Sequence, residues 1–220
     1  PYEREILQQY ADVLFEYRDE AHFNQAVLCY NRLIAQQPND PKNPEYQAKI
    51  VAIYDELMDF RGKTKARDDM ARLFGKKTDW YKKNQENAAA LEKANMLVEV
   101  ALYQRAVFLH MNAQELKFDA KSADDPEKLA ESVVEYRKAA AAYLAYLTRF
   151  PKSAKSYEIR FNRAEAVYYS DDLPLAGKLY AEVRDDPKND EYREDAAFSV
   201  ITCAEKVISN EVAEGILPEK

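Results

Sequence analysis

The chain has 220 residues, 47% of them apolar, so it can bury a sizeable core in one or two domains or in one elongated array. Only 4 glycines stand against 16 tyrosines, too few for a fold built on many hairpins or for a glycine-rich phosphate loop. A net charge of −7 with acids and bases interspersed, as in the stretch Lys63 to Asp69, excludes the basic face that a nucleic-acid binder needs.

Apolar residues recur at helical spacing almost throughout, and the spacing predicts nine helices, at 2–19, 22–37, 43–60, 63–74, 79–118, 126–150, 153–170, 172–185 and 189–210. Pro38, Pro41 and Pro44 separate the second helix from the third, because proline lacks the N–H that a helix interior uses. Gly62 and Gly75 are expected at C-terminal ends, and Thr78 with Asp79 at the start of the long fifth helix. Asp125 and Pro126 open the sixth helix, and Asp185-Asp186-Pro187 stops the eighth. No segment alternates polar and apolar for long enough to require a strand. The two cysteines, Cys29 and Cys203, lie far apart in sequence outside any CxxC motif and are expected as free thiols packed in helices.

A repeat runs through these helices. Phe23, Ala26, Tyr30, Leu33, Ile34 and Pro38 stand at offsets 0, 3, 7, 10, 11 and 15. Tyr136, Ala139, Tyr143, Tyr146, Leu147 and Pro151 repeat all six offsets. Leu173, Ala176, Tyr180, Val183, Arg184 and Pro187 follow them with the proline one residue early, and Lys63, Ala66, Met70, Leu73, Phe74 and Thr78 form a weaker copy. Offsets 3, 7, 10 and 11 lie on one helix face, where a small alanine admits a neighbouring helix and a large residue fills the gap beside it. The helices ahead agree: Tyr10, Val13, Leu14 and Tyr17 match Ile50, Ile53, Tyr54 and Leu57 at equal distances before Ala26 and Ala66. All eight are expected to pack. A helix pair of this kind cannot bury its face alone, so copies stack.

These residues resemble the tetratricopeptide repeat (TPR) family over most of the chain. The resemblance implies an all-α fold: a right-handed α-solenoid of stacked antiparallel helix pairs with one long irregular helix. It implies one array over 1–220, with pairs at 2–38, 43–76, 79–151 and 153–187 and a terminal helix at 189–210. Two departures stand out. Small residues are usual where Leu14 and Tyr54 stand, which implies wider spacing of those pairs. The third pair lacks a standard first helix, so its first helix is expected to be the long one ending near Lys117, followed by an inserted loop of about ten residues. The tyrosine-rich stretch Arg160 to Val183 is similar in style to TPR proteins of the bacterial cell envelope.

Chemistry finds little footing. His22 and His110 are the only histidines and do not make a metal site; neither metal nor cofactor is expected. Acidic pairs such as Asp124-Asp125 and Asp171-Asp172 read as solvated helix ends. No constellation supports catalysis, so the chain is expected not to be an enzyme. No apolar run approaches the ~20 residues needed to cross a bilayer, and no positively charged stretch followed by an apolar one reads as a signal peptide. In TPR arrays the first helix of each pair lines the concave face. By that resemblance, a protein or peptide partner would meet Phe161, Glu165, Tyr168 and Tyr169 on the fourth pair, Tyr103 and His110 on the long helix, and Phe15 and Arg18 on the first pair. Tyrosine suits recognition, with large amphipathic contact area at low entropic cost. The resemblance implies a scaffold or adaptor in the bacterial periplasm or at the outer membrane, or otherwise in the cytoplasm. The alternative is a regulatory domain of a longer, possibly enzymatic protein. Trp80 reads as a hydrophobic plug or as an exposed anchor.

Overall fold

The computed structural model describes residues 2–218, and among them every regular element is an α-helix. There are ten: α1 (Tyr2–Glu16), α2 (Glu20–Gln36), α3 (Asn43–Glu56), α4 (Phe60–Phe74), α5 (Asp79–Lys83), α6 (Ala88–Ala123), α7 (Pro126–Arg149), α8 (Ser156–Tyr169), α9 (Leu173–Arg184) and α10 (Arg193–Ala213). Helices pack mainly on their neighbours in sequence, α1 to α4 in series and α7 to α10 in series. The contacts divide the chain into two compact units, one ending at Arg105 and the other beginning at Ala106, with the division inside α6.

The expected packing face is present. Offsets 0, 3, 7 and 10 are buried in α2 (Phe23, Ala26, Tyr30, Leu33), in α7 (Tyr136, Ala139, Tyr143, Tyr146) and in α9 (Leu173, Ala176, Tyr180, Val183). In the weaker copy, α4, the buried set is Ala66, Arg67, Met70 and Phe74, so the face is rotated toward the residue at offset 11. Each alanine at offset 3 is sealed from solvent, which lets the facing backbone come close.

Four turns between helices share one geometry. Arg18, Met58, Asp124 and Asp171 all hold positive φ, at 58°, 52°, 52° and 71°. Each precedes an aspartate (Asp19, Asp59, Asp125 or Asp172) whose carboxylate accepts a backbone N–H in the first turn of the next helix. In three of them that aspartate also donates its own backbone N–H to the carbonyl five residues back: Asp59 to Tyr54, Asp125 to Ala120 and Asp172 to Val167. This is a Schellman closure fused to the next N-cap, so one aspartate serves two helix ends. Left-handed backbone costs an L-residue roughly 1–2 kcal/mol. Met58 is 75% exposed and its side chain holds nothing in place. Met58→Gly is therefore expected to raise stability by about 0.5–1 kcal/mol net of the entropy glycine adds to the unfolded chain. Urea unfolding measures this, and a loss of stability would contradict it.

These turns correct the sequence reading. The third pair has no inserted loop: α6 runs on to Ala123, held by the buried Ala120, and only Asp124 and Asp125 link it to α7. The polar residues of that stretch lie on an exposed helix face. Gly62 stands in the first turn of α4, where its N–H donates to Asp59 Oδ1 at 2.9 Å, and not at a C-terminal end. The long fifth helix is two. α5 ends at Asn84, whose side chain donates to the Trp80 and Asn39 carbonyls, and Asn87 Oδ1 accepts from the Ala90 N–H to start α6. Short amide side chains compete for backbone groups and so break a helical run.

On the first helix the packing expectation fails for three residues. Tyr10, Val13 and Tyr17 are 51%, 53% and 61% exposed. α1 turns Leu7, Ala11 and Leu14 to the core, and its polar Gln8 and Asp12 meet Tyr46 and Lys49 of α3. Tyr10 and Tyr17 only skirt α2, where the Tyr10 hydroxyl donates to Gln25 Oε1 at 3.4 Å and the Tyr17 ring stacks on His22 with centres 4.2 Å apart. α3 lies between α2 and α4, so Ile50 and Ile53 are buried as expected, with Tyr54 and Leu57 half-buried.

The linker between α2 and α3 is tied down by Asp40. Its carboxylate takes Arg4 at 2.6 Å and the Lys42 N–H at 2.8 Å, and its carbonyl takes Trp80 Nε1 at 2.7 Å. Trp80 is 3% exposed and packs edge-on against Phe74 with ring centres 5.4 Å apart, so it is a plug. Its emission is expected to be blue-shifted and weakly quenched by acrylamide; strong quenching would overturn that placement. Both cysteines are free, Cys203 buried and Cys29 only half-buried.

Candidate functional site

The second unit carries a polar and aromatic cluster built on α6, α7, α8 and α10. Along α6, Ala106, His110, Ala113, Lys117 and Ala120 recur at intervals of three and four, which puts them on one face. The three alanines are buried, so α7 and α8 approach closely and the two polar residues are drawn in with them. From α7, Tyr136 and Tyr143 supply fully buried rings. From α8, Glu165, Tyr168 and Tyr169 line the same side, and α10 adds Lys206.

His110 is the innermost member. It is 5% exposed, and the rings of Tyr136 and Tyr143 meet it edge-on with centres 5.7 Å away on each side. Its Nδ1 lies 3.1 Å from the Tyr143 hydroxyl. Its Nε2 has no hydrogen-bond partner and points toward Glu165 Oε2 at 3.9 Å. Burial pulls the imidazolium down to a pKa of about 4, so the ring is neutral at pH 7. Burial raises the Glu165 carboxyl, and Lys117 opposes that shift.

Lys117 Nζ sits 3.2 Å above the centre of the Tyr169 ring and 5.7 Å from that of Tyr136. Burial together with the charges of Lys121 and Lys206 lowers its pKa to about 8, against which Glu165 works. The phenols stay neutral: burial pushes Tyr136 up to about 12 and raises Tyr169. Lys206 Nζ lies 4.5 Å from the Tyr168 ring, and the Tyr168 and Tyr169 rings meet edge-on at 5.1 Å. The result is a half-buried aromatic surface with ammonium groups on its ring faces.

Of the residues expected to meet a partner, Glu165, Tyr168 and Tyr169 come together here. His110 joins them from below and does not reach the surface, because α7 covers it with two tyrosines. Phe161, one helical turn before Glu165, stacks on Tyr192 with centres 4.7 Å apart and packs on Tyr180. Tyr103 is half-buried on the part of α6 that belongs to the first unit. Phe15 and Arg18 also lie in the first unit. Phe15 packs on Phe23, and Arg18 lies over the Phe15 ring at 5.0 Å while pairing with Glu56 at 2.7 Å.

Lys117 and Lys206 were not anticipated. The signal for Lys117 was its spacing of seven from His110 on the alanine-rich face of α6. Lys206 gives no such signal, because it reaches the cluster only through the packing of α10. Among the described residues no group of three or more His, Cys, Asp and Glu is placed to hold a metal ion, and no helix is long and apolar enough to cross a membrane. No protein family matches the sequence, and no characterised protein or solved structure is detectably similar to it.

Proposed function

We propose that the chain is a TPR-like right-handed α-solenoid that acts as a non-enzymatic scaffold or adaptor for a protein partner. The observation that carries this reading is the tyrosine and lysine surface on α6 and α8, the first helices of their expected pairs, and on the terminal helix α10. That surface is amphipathic, held on helices and only half-buried, as suits a recognition surface. The buried offsets shared by α2, α7 and α9 and the repeated aspartate turns support the repeat architecture. The tyrosine-rich style of Arg160 to Val183 favours a bacterial envelope complex, in the periplasm or at the outer membrane.

The test is capture of partners from the native organism with the wild-type chain and with a Tyr168→Ala, Tyr169→Ala variant. A partner held by the wild type and lost by the variant supports the reading. Equal capture by a variant that melts like the wild type would remove this surface from it.

A further inference from the structure

Among the described residues Lys49 pairs with Asp12 at 2.6 Å, Lys128 with Asp119 at 3.7 Å and Lys138 with Glu135 at 2.6 Å. Lys117, Lys121 and Lys206 have no carboxylate within 4 Å among the described residues, although they lie close enough together for Lys121 and Lys206 to repel charge on Lys117. Two of the three rest on rings, Lys117 on Tyr169 and Lys206 on Tyr168. A cation over a ring gains some attraction but its charge stays uncompensated. Among the described residues Glu165 is the acid that acts on Lys117, and it is half-buried. The cluster therefore holds a local surplus of positive charge on a chain whose net charge is −7.

A surplus of that kind, framed by two tyrosine rings, fits an anion joined to apolar carbon. We infer that the Lys117 and Lys206 ammonium groups, flanking the Tyr168 and Tyr169 rings, seat a carboxylate from an acidic segment of the protein partner. The inference rests on the protein-binding reading above and adds the chemistry of the partner. The carboxylate bridges the two ammonium groups, and its aliphatic stem lies against the tyrosines.

The groups facing Lys117 are Tyr136 from α7, Glu165 and Tyr169 from α8, Lys206 from α10, and Lys121 on its own helix. An added anion favours the protonated amine, so binding takes up a proton. Affinity should then fall as pH rises from about 7 to about 9.5, well below the range where an ordinary lysine discharges.

The experiment is a ¹⁵N amide titration of the full chain at low salt with two acetylated peptides. One alternates Glu and Ala and ends in an amide, so it offers side-chain carboxylates only. The other alternates Ser and Ala and ends in a free carboxylate. Either peptide should shift amides in 117–121, 165–169 and 203–208, with the stated loss of affinity at high pH. Lys117→Gln and Lys206→Gln should each weaken binding about five-fold or more and leave the melting temperature unchanged. No shifts at millimolar peptide, shifts elsewhere, or equal binding by the Lys117→Gln, Lys206→Gln double variant would overturn the inference. Preference for a Lys-Ala peptide at the same amides would also overturn it and make Glu165 the determinant. A native partner kept by the double lysine variant but lost by Tyr168→Ala, Tyr169→Ala would leave the scaffold reading standing without the carboxylate.

Discussion

Tyr146→Ala is expected to lower the stability of the second unit by about 3–5 kcal/mol, the cost of emptying a large buried aromatic site. Tyr146 is 0% exposed. Its ring packs on Phe150 with centres 5.6 Å apart, and its hydroxyl donates to Ser153 Oγ at 2.9 Å. It fills offset 10 of the repeat face, where α2 has Leu33 and α9 has Val183, so α7 presents the largest side chain of the three there. Alanine would remove the ring and leave a cavity that helices on both sides cannot close. Tyr146→Phe keeps the ring and loses only the hydroxyl bond, for a cost of about 1 kcal/mol. Ser153 Oγ would still accept from the Lys155 N–H. Urea unfolding of the two variants separates the terms. A loss under about 1 kcal/mol for the alanine variant would be incompatible with a filled, rigid seam.

The second large effect is on pH. His110 is buried neutral with a pKa of about 4, against an ordinary value of 6.5 that the unfolded chain recovers. Between these two values the unfolded state binds a proton that the folded state refuses. Stability is therefore complete above about pH 6.5 and falls with pH, until the folded ring itself protonates near pH 4. The loss approaches ~3 kcal/mol over that window. Glu165 works the other way, since a raised carboxyl pKa favours the folded state as pH falls. Other carboxylates titrate in the same range, so the readout is a comparison. His110→Gln should be less stable than the wild type at pH 7 and lose less between pH 7 and about pH 4.5. Parallel curves for the two proteins would show that His110 is not the group responsible.

The repeat was legible because its four inner offsets depend on side-chain size, which the sequence states directly. Ala26, Ala139 and Ala176 had to be buried for Tyr30, Tyr143 and Tyr180 to pack, and they are. The role of Tyr10, Val13 and Tyr17 was not legible, because a stripe at helical spacing does not say whether anything lies against it. The stretch from Lys117 to Asp125 looked like a loop because its residues are polar, yet an exposed helix face is equally polar. The break at Asn84 to Asn87 rests on amide side chains turning to backbone groups, an interaction that hydrophobic periodicity does not register.

The cluster was legible in part. Tyr168 and Tyr169 were singled out because adjacent helical positions cannot both bury in one seam, and both are half-buried. Lys117 and Lys206 were missed because a lysine on a helix is ordinarily a solvated charge. What makes them distinctive is the spatial order of α6, α8 and α10, and sequence separates the two residues by 89 positions.

The fused aspartate turns have a consequence for how the chain acquires its structure. Each closes within six residues, and the helices it joins are neighbours both in sequence and in space. Little loop entropy has to be lost before such contacts repay it, so contact order is low and folding is expected within microseconds to milliseconds. Any hairpin of helices can then start the process. In native-state hydrogen exchange the amides of α1 and α2, or of α8 and α9, should open together as pairs, with the amides of Asp59, Asp125 and Asp172 exchanging alongside the helices they fasten.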